Sequence, residues 1–190
     1  MDAEVISLIE TYVAADFFTS EEILSIICDD VYAADELSHN AVEKIIEEKV
    51  KQKKDIENKW PKTTHNDLLN RCFKKLNKAG IITLHNVKSF AIGVDEATDI
   101  FQNQEKNKTK YLGFCFYQWQ DTEVAINGGG LRLSYGDLDG DKEKTYQIGK
   151  LIFDEINKKF SKAIWNGDQE KKIFIPKFKW RKKTESEKCK

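Results

Sequence analysis

Apolar residues recur every three to four positions through the first half of the chain and gather into short, strand-like runs through the second. Val5, Leu8, Ile9, Tyr12 and Val13 form one stripe and predict a helix over residues 2–14. Thr19 and Glu22 make a capping box, with Phe18 placed to staple against Ile23, so a second helix starts there. Its spacing turns Ile23, Ile26, Ile27 and Val31 inward. Ser38 can cap a third helix, with Val42, Ile45, Ile46 and Val50 on its apolar side. Trp60-Pro61 ends it, because the residue before proline avoids the helical region. Thr64 and Asp67 resemble another capping box, and Leu68, Leu69, Cys72, Phe73 and Leu76 mark a fourth helix. Gly80 suits its C′ position. Ile81 to His85 then reads as a strand, residues 94–104 as a helix starting near Asp95, and the polar run 103–110 as a linker.

Beyond residue 110 the texture changes. Tyr111 to Tyr117 is an aromatic, buried strand, and Leu131 to Tyr135 a second one. A long helix runs from Asp141 or Lys142 to Phe160. Ala163–Trp165 and Ile173–Ile175 read as two strands around a hairpin turn at Asn166-Gly167-Asp168. The pattern predicts an α+β fold: a helical N-terminal half packed on a C-terminal mixed sheet of about four strands with one long helix. In domain terms, residues 1–105 are a helical part ending in a helix-strand unit. Residues 106–183 follow a β-α-β-α-β-β order, and 184–190 form a disordered tail.

Charge alters this picture more than composition does. The formal net charge is only −1. Yet residues 1–50 hold 2 Lys against 13 Asp and Glu, a net of −11. Residues 51–78 carry +6 and residues 171–190 carry +7. Such segregation either pairs internally or presents a docking face. No apolar run approaches the roughly 20 residues a membrane helix needs. The acidic start lacks a secretory pattern, so the expected location is cytoplasmic. Cys28, Cys72, Cys115 and Cys189 show no CxxC spacing, which argues against a disulfide framework or a zinc site.

Chemistry has few candidates. The least ordinary stretch is Gln118-Trp119-Gln120-Asp121-Thr122-Glu123, followed by Asn127-Gly128-Gly129-Gly130-Leu131. Asp121 can cap a short helix, with Glu123 in its first turn. Consecutive glycines signal tight backbone geometry or the close approach of another group. Gln118, Gln120, Asp121, Glu123, Gly128, Gly129 and Gly130 therefore form the candidate ligand or partner surface. The stretch matches neither a Walker loop nor GxGxxG. Asp137 to Glu143 lacks EF-hand spacing and reads as an acidic turn capping the next helix. His39, His65 and His85 are scattered. No residue is assigned a catalytic role, and no metal or cofactor is expected.

The Gln120-Asp121-Thr122-Glu123 segment, with Gly128-Gly129-Gly130-Leu131 and Tyr135-Gly136, resembles an uncharacterised bacterial family, a domain of unknown function. Trp60-Pro61, the Asp67–Gly80 helix running into Ile81-Ile82, and Trp165-Asn166-Gly167 are similar to other landmarks of that family. The resemblance covers roughly residues 40–182. Many members carry a cysteine-rich stretch where this chain reads Asn86-Val87-Lys88-Ser89-Phe90. The family implies a fold and no activity.

Three functional expectations follow. The first is a non-enzymatic protein-interaction module with a protein partner, in concrete form an immunity-type inhibitor of a toxin. The second is an enzyme or small-ligand binder using the Gln118–Gly130 segment, with Asp121 or Glu123 as acid or base. The third is a DNA binder, since Asp67 to Leu84 has the outline of a winged-helix recognition helix entering a wing strand.

Overall fold

A computed structural model describes residues 1–33, 36–103 and 111–184. They form two compact units, one of residues 1–64 with the C-terminal segment from Trp180, the other of residues 65–179. The fold is α+β. The division falls at Thr64, not at residue 105. The helix-strand unit near residue 80 packs with the sheet because its strand is hydrogen-bonded into it.

The first unit is helical. Asp2 caps α1 (Ala3–Ala15), which ends at Asp16 in a left-handed conformation with φ 58°. The Thr19–Glu22 capping box opens α2 (Ser20–Ser25) as expected. The helix then widens into a π-helical turn, Ile26–Val31. That turn shifts the apolar phase, so Ile27 and Cys28 are buried while Val31 is exposed instead of inward. α3 (His39–Glu57) follows, with no side-chain cap from Ser38. Val5, Ile9, Val13, Ile23, Ile27, Val42 and Ile46 make one core. Each such side chain contributes about 1.5–3 kcal/mol on burial.

The C-terminal segment closes this unit. The Trp180 indole donates to the Ala14 carbonyl at 3.0 Å. Lys182 Nζ donates to the Asp16 carbonyl at 2.6 Å and lies over the Phe17 ring. Thr184 donates through its backbone N–H to Glu57 and through its hydroxyl to Asp16. Lys53, buried on α3, donates to both carboxylates. Part of the basic tail is thus consumed by pairing within this unit. Thr184, expected in the disordered tail, is held; residues 185–190 lie outside the described residues, as does 104–110 of the expected linker.

The second unit is a four-stranded sheet in the order β1-β2-β3-β4. α4 (His65–Lys78) ends at Gly80, whose φ of 87° suits the C′ position, and leads into β1 (Ile81–Val87). α5 (Phe90–Asn103) crosses to β2 (Gly113–Gln118), which pairs parallel with β1. Ser89 Oγ accepts from the Ile92 N–H at 3.3 Å, so this helix begins five residues before Asp95. α6 (Trp119–Ile126) joins β2 to antiparallel β3 (Leu131–Gly136). α7 (Lys142–Asn157) precedes β4 (Ile173–Ile175).

The expected 163–175 hairpin is a correction. Ile164 makes only an isolated bridge to Phe174, because β4 spends its other edge on β3. α4 and α7 cover one face of the sheet, and α5 packs on β1 and β2 across the other. Phe114 and Phe116 stack there at 5.3 Å, with Ile82, Val87 and Ala97 around them. Among the described residues no helix is long and apolar enough to cross a membrane.

Candidate functional site

β2 runs straight into α6, and this junction carries the residues singled out from the sequence. Alternation along β2 puts Gln118 on the same face as Phe114 and Phe116. The register pairs Phe116 with Ser134 on β3. Leu133 pairs with Ile173 on β4, so Lys172 falls one step beyond, beside Ser134. Gln118, Ser134, Lys172 and, from α6, Asp121 meet there. Arg132 lies nearby, its guanidinium 4.4 Å over the Phe174 ring.

Asp121 is 6% exposed. It does not start α6 as its cap; that position belongs to Gln118. Asp121 instead stands in the first turn and reaches back, so Oδ2 accepts from the Gln118 N–H at 3.1 Å. The same oxygen accepts from Lys172 Nζ at 2.7 Å. Gln118 Nε2 donates to Ser134 Oγ at 3.4 Å. Thr122, fully buried, donates to Asn86 Oδ1 at 2.7 Å, while Asn86 takes a left-handed φ of 54°. This contact ties the ends of the two parallel strands together through α6. Glu123 lies in the second turn, half-buried, and Gln120 is exposed.

The glycines resolve into separate jobs. Gly128 has φ 81° and donates to the Ala125 carbonyl, while Gly129 donates to Val124 O at 2.8 Å. That is the Schellman closure of α6, which requires the left-handed residue. Gly130 has φ 78°, and a Cβ there would come within 2.6 Å of the Ile175 carbonyl oxygen. The chain passes that close to β4 only without a side chain. The structure therefore brings Gln118 and Asp121 together with Ser134 and Lys172. Gln120 and the glycines contribute surface and backbone shape. Lys172 and Ser134 were missed in the sequence because their approach depends on strand register, which no local motif announces.

The other candidates are also engaged. Asp137 Oδ2 accepts from the backbones of Asp139 and Asp141, and Asp141 caps α7 through the Lys144 N–H. The acidic turn is thus a cap. His85 Nδ1 lies 2.9 Å from the Tyr117 hydroxyl, beside the Phe73 ring. Burial pushes the Tyr117 phenol well above its ordinary value. Cys28, Cys72 and Cys115 are free, buried thiols. Among the described residues no three His, Cys, Asp or Glu side chains gather as metal ligands would. β1 pairs parallel with β2 and so is no part of a wing hairpin.

Charge is the other feature of note. Asp29 and His39 lie 3.4 Å apart, joining the π-helical turn to the start of α3. Glu43 and Glu47 follow His39 at four-residue spacing, both exposed. Along this stripe, Glu43 and Glu47 have no ion pair among the described residues, nor do exposed Glu21 and Asp30 nearby in sequence. Lys49 is already taken by Glu10 at 2.7 Å.

These elements form a small α+β protein with seven α-helices and a four-stranded mixed sheet among the described residues. The chain belongs to a family described as a domain of unknown function (DUF6891), whose model matches residues 1–184. The match takes in the N-terminal helices as well as the glycine-rich junction. No curated protein and no solved structure matches the chain.

Proposed function

We propose that this protein is a non-enzymatic interaction module whose helical N-terminal unit docks a basic protein partner. One observation carries the reading. α3 keeps Glu43 and Glu47 exposed at four-residue spacing, although like charges so placed destabilise a helix by about 0.2–0.5 kcal/mol. A fold selected for stability alone gains by removing Glu43, since Glu47 has Lys44 and Lys51 at favourable helical spacing and Glu43 has neither. A basic partner would turn that repulsion into attraction and gain association rate from the field. The concrete form we favour is a cytoplasmic inhibitor that covers the basic surface of a toxin.

The β2–α6 junction supports the same reading. Its one buried carboxylate, Asp121, is committed to the Gln118 N–H and to Lys172, and the glycines close a helix. Affinity capture from the native cell tests the proposal. Wild type should retain a stoichiometric basic protein that salt elutes, and a Glu43→Gln/Glu47→Gln variant should retain much less. Recovery of no partner, or equal recovery by both proteins, contradicts it.

A further inference from the structure

Between α4 and α7 the second unit opens a groove of about 630 Å³. Small-ligand sites run from roughly 300 to 1,000 Å³. Leu76, Ala79, Leu112, Ile148 and Leu151 give it an apolar lining. Leu112 is 41% exposed, a large apolar side chain left uncovered at the groove. α7 lines it from Glu143 to Lys158, about 22 Å along the helix axis. The shape is an elongated apolar trough.

One end of that trough is charged in an unbalanced way. Glu155 is 8% exposed and lines the groove. Its Oε2 accepts from Lys158 Nζ at 2.8 Å. Its Oε1 lies 3.0 Å from Lys75 Nζ but off the line of a hydrogen bond, and this buried oxygen accepts none. Burial by itself would raise the Glu155 carboxyl, but the ammonium groups of Lys158 and Lys75 outweigh it and hold it below the usual carboxylate value. Glu155 is therefore ionised at neutral pH, and two ammonium groups share one negative charge. The side chains of Lys75 and Lys158 are 57% and 63% exposed. One positive charge is left over where the apolar trough ends. Lys150, farther along the rim, is already neutralised by Asp154 at 3.0 Å.

We propose that this groove binds an amphipathic carboxylate, its alkyl chain along the α4–α7 trough and its head group between Lys75 and Lys158. The head group supplies the second negative charge that the pair of ammonium groups lacks. The chain covers Leu112 and Leu151, the lining leucines not already buried. A neutral head group of the same chain length gains the second contribution and not the first, so it binds less well. The occupant is a single-chain amphiphile, since the trough volume is that of a small-molecule site.

Isothermal titration of the full-length protein with decanoate, below its micelle concentration, tests this. The expected result is one site that saturates. The Lys75→Ala/Lys158→Ala variant should bind at least tenfold more weakly, and Lys75→Arg/Lys158→Arg should restore binding. Decanol should bind at least tenfold more weakly than decanoate. Leu151→Asp should abolish binding while circular dichroism shows a folded chain. No saturable heat with decanoate, decanol matching decanoate, or decanoate affinity unchanged by the lysine pair each overturns the proposal. So does an acidic amphipathic peptide displacing decanoate at lower concentration than decanoate itself requires, which would make the trough a protein-docking groove.

Discussion

At the scale of single residues, the glycine run shows how one sequence feature divides into distinct physical demands. Gly128 needs only its left-handed backbone, and nothing lies within 4 Å of where a Cβ would be. Gly128→Ala should therefore cost about 1–2 kcal/mol, the penalty of forcing an L side chain into that region. Gly130 needs the same φ and also the space against Ile175 and Pro176. Gly130→Ala should cost more than Gly128→Ala, and urea denaturation of the two variants measures the order. Glu155 gives a second residue-scale test. Its folded carboxyl is held below the ordinary value of 4.5, so its contribution to stability is present at neutral pH. That contribution is lost as pH falls below about 4.5, where the carboxyl protonates in the folded state. Denaturation midpoints followed from pH 6 to pH 3 should fall more steeply in wild type than in Glu155→Gln. Equal slopes would show that Lys75 and Lys158 do not favour the ionised carboxyl.

At the scale of elements, what was legible followed local rules. The Thr19–Glu22 capping box, the Gly80 stop and the Asp141 cap each depend on residues within four positions, and each was readable from the sequence. The misplacements depend on something farther away. The π-helical turn moved Val31 outward because one extra residue per turn resets the apolar phase. The 163–175 hairpin gave way because β4 found a partner some forty residues upstream in β3. Lys172 joined Asp121 by the same register, across a separation of 51 residues. The C-terminal segment is the clearest long-range case. Trp180, Lys182 and Thr184 hold the ends of α1 and α3 through bonds that no local pattern foretells. Truncation after Lys179 removes these bonds, leaving Asp16, Lys53 and Glu57 without Thr184 and Asp16 without Lys182 as well. Amides in the last turns of α1 and α3 should then exchange about tenfold faster, equivalent to roughly 1.4 kcal/mol of lost protection. Unchanged exchange would mean the segment is held passively.

At the scale of the whole molecule, the fold class was legible and the arrangement of charge only half so. Periodicity switching from helical stripes to aromatic runs gave an α+β protein, which is the fold observed. The charge blocks were visible as sums. Which charges would pair was invisible, because Lys182 of the basic C-terminal segment meets Asp16 across 166 positions. After that pairing, Glu43 and Glu47 on α3 are among the exposed acids that have no ion pair among the described residues, and it is there that the interaction reading stands. The most direct test compares stability with binding in one variant. Glu43→Gln should unfold at slightly higher urea, by about 0.2–0.5 kcal/mol, because the repulsion from Glu47 is relieved while Glu47 keeps Lys51 one turn further along. The same variant should lose salt-sensitive retention of its basic partner. A variant that is less stable than wild type, or that keeps the partner undiminished, would contradict the account.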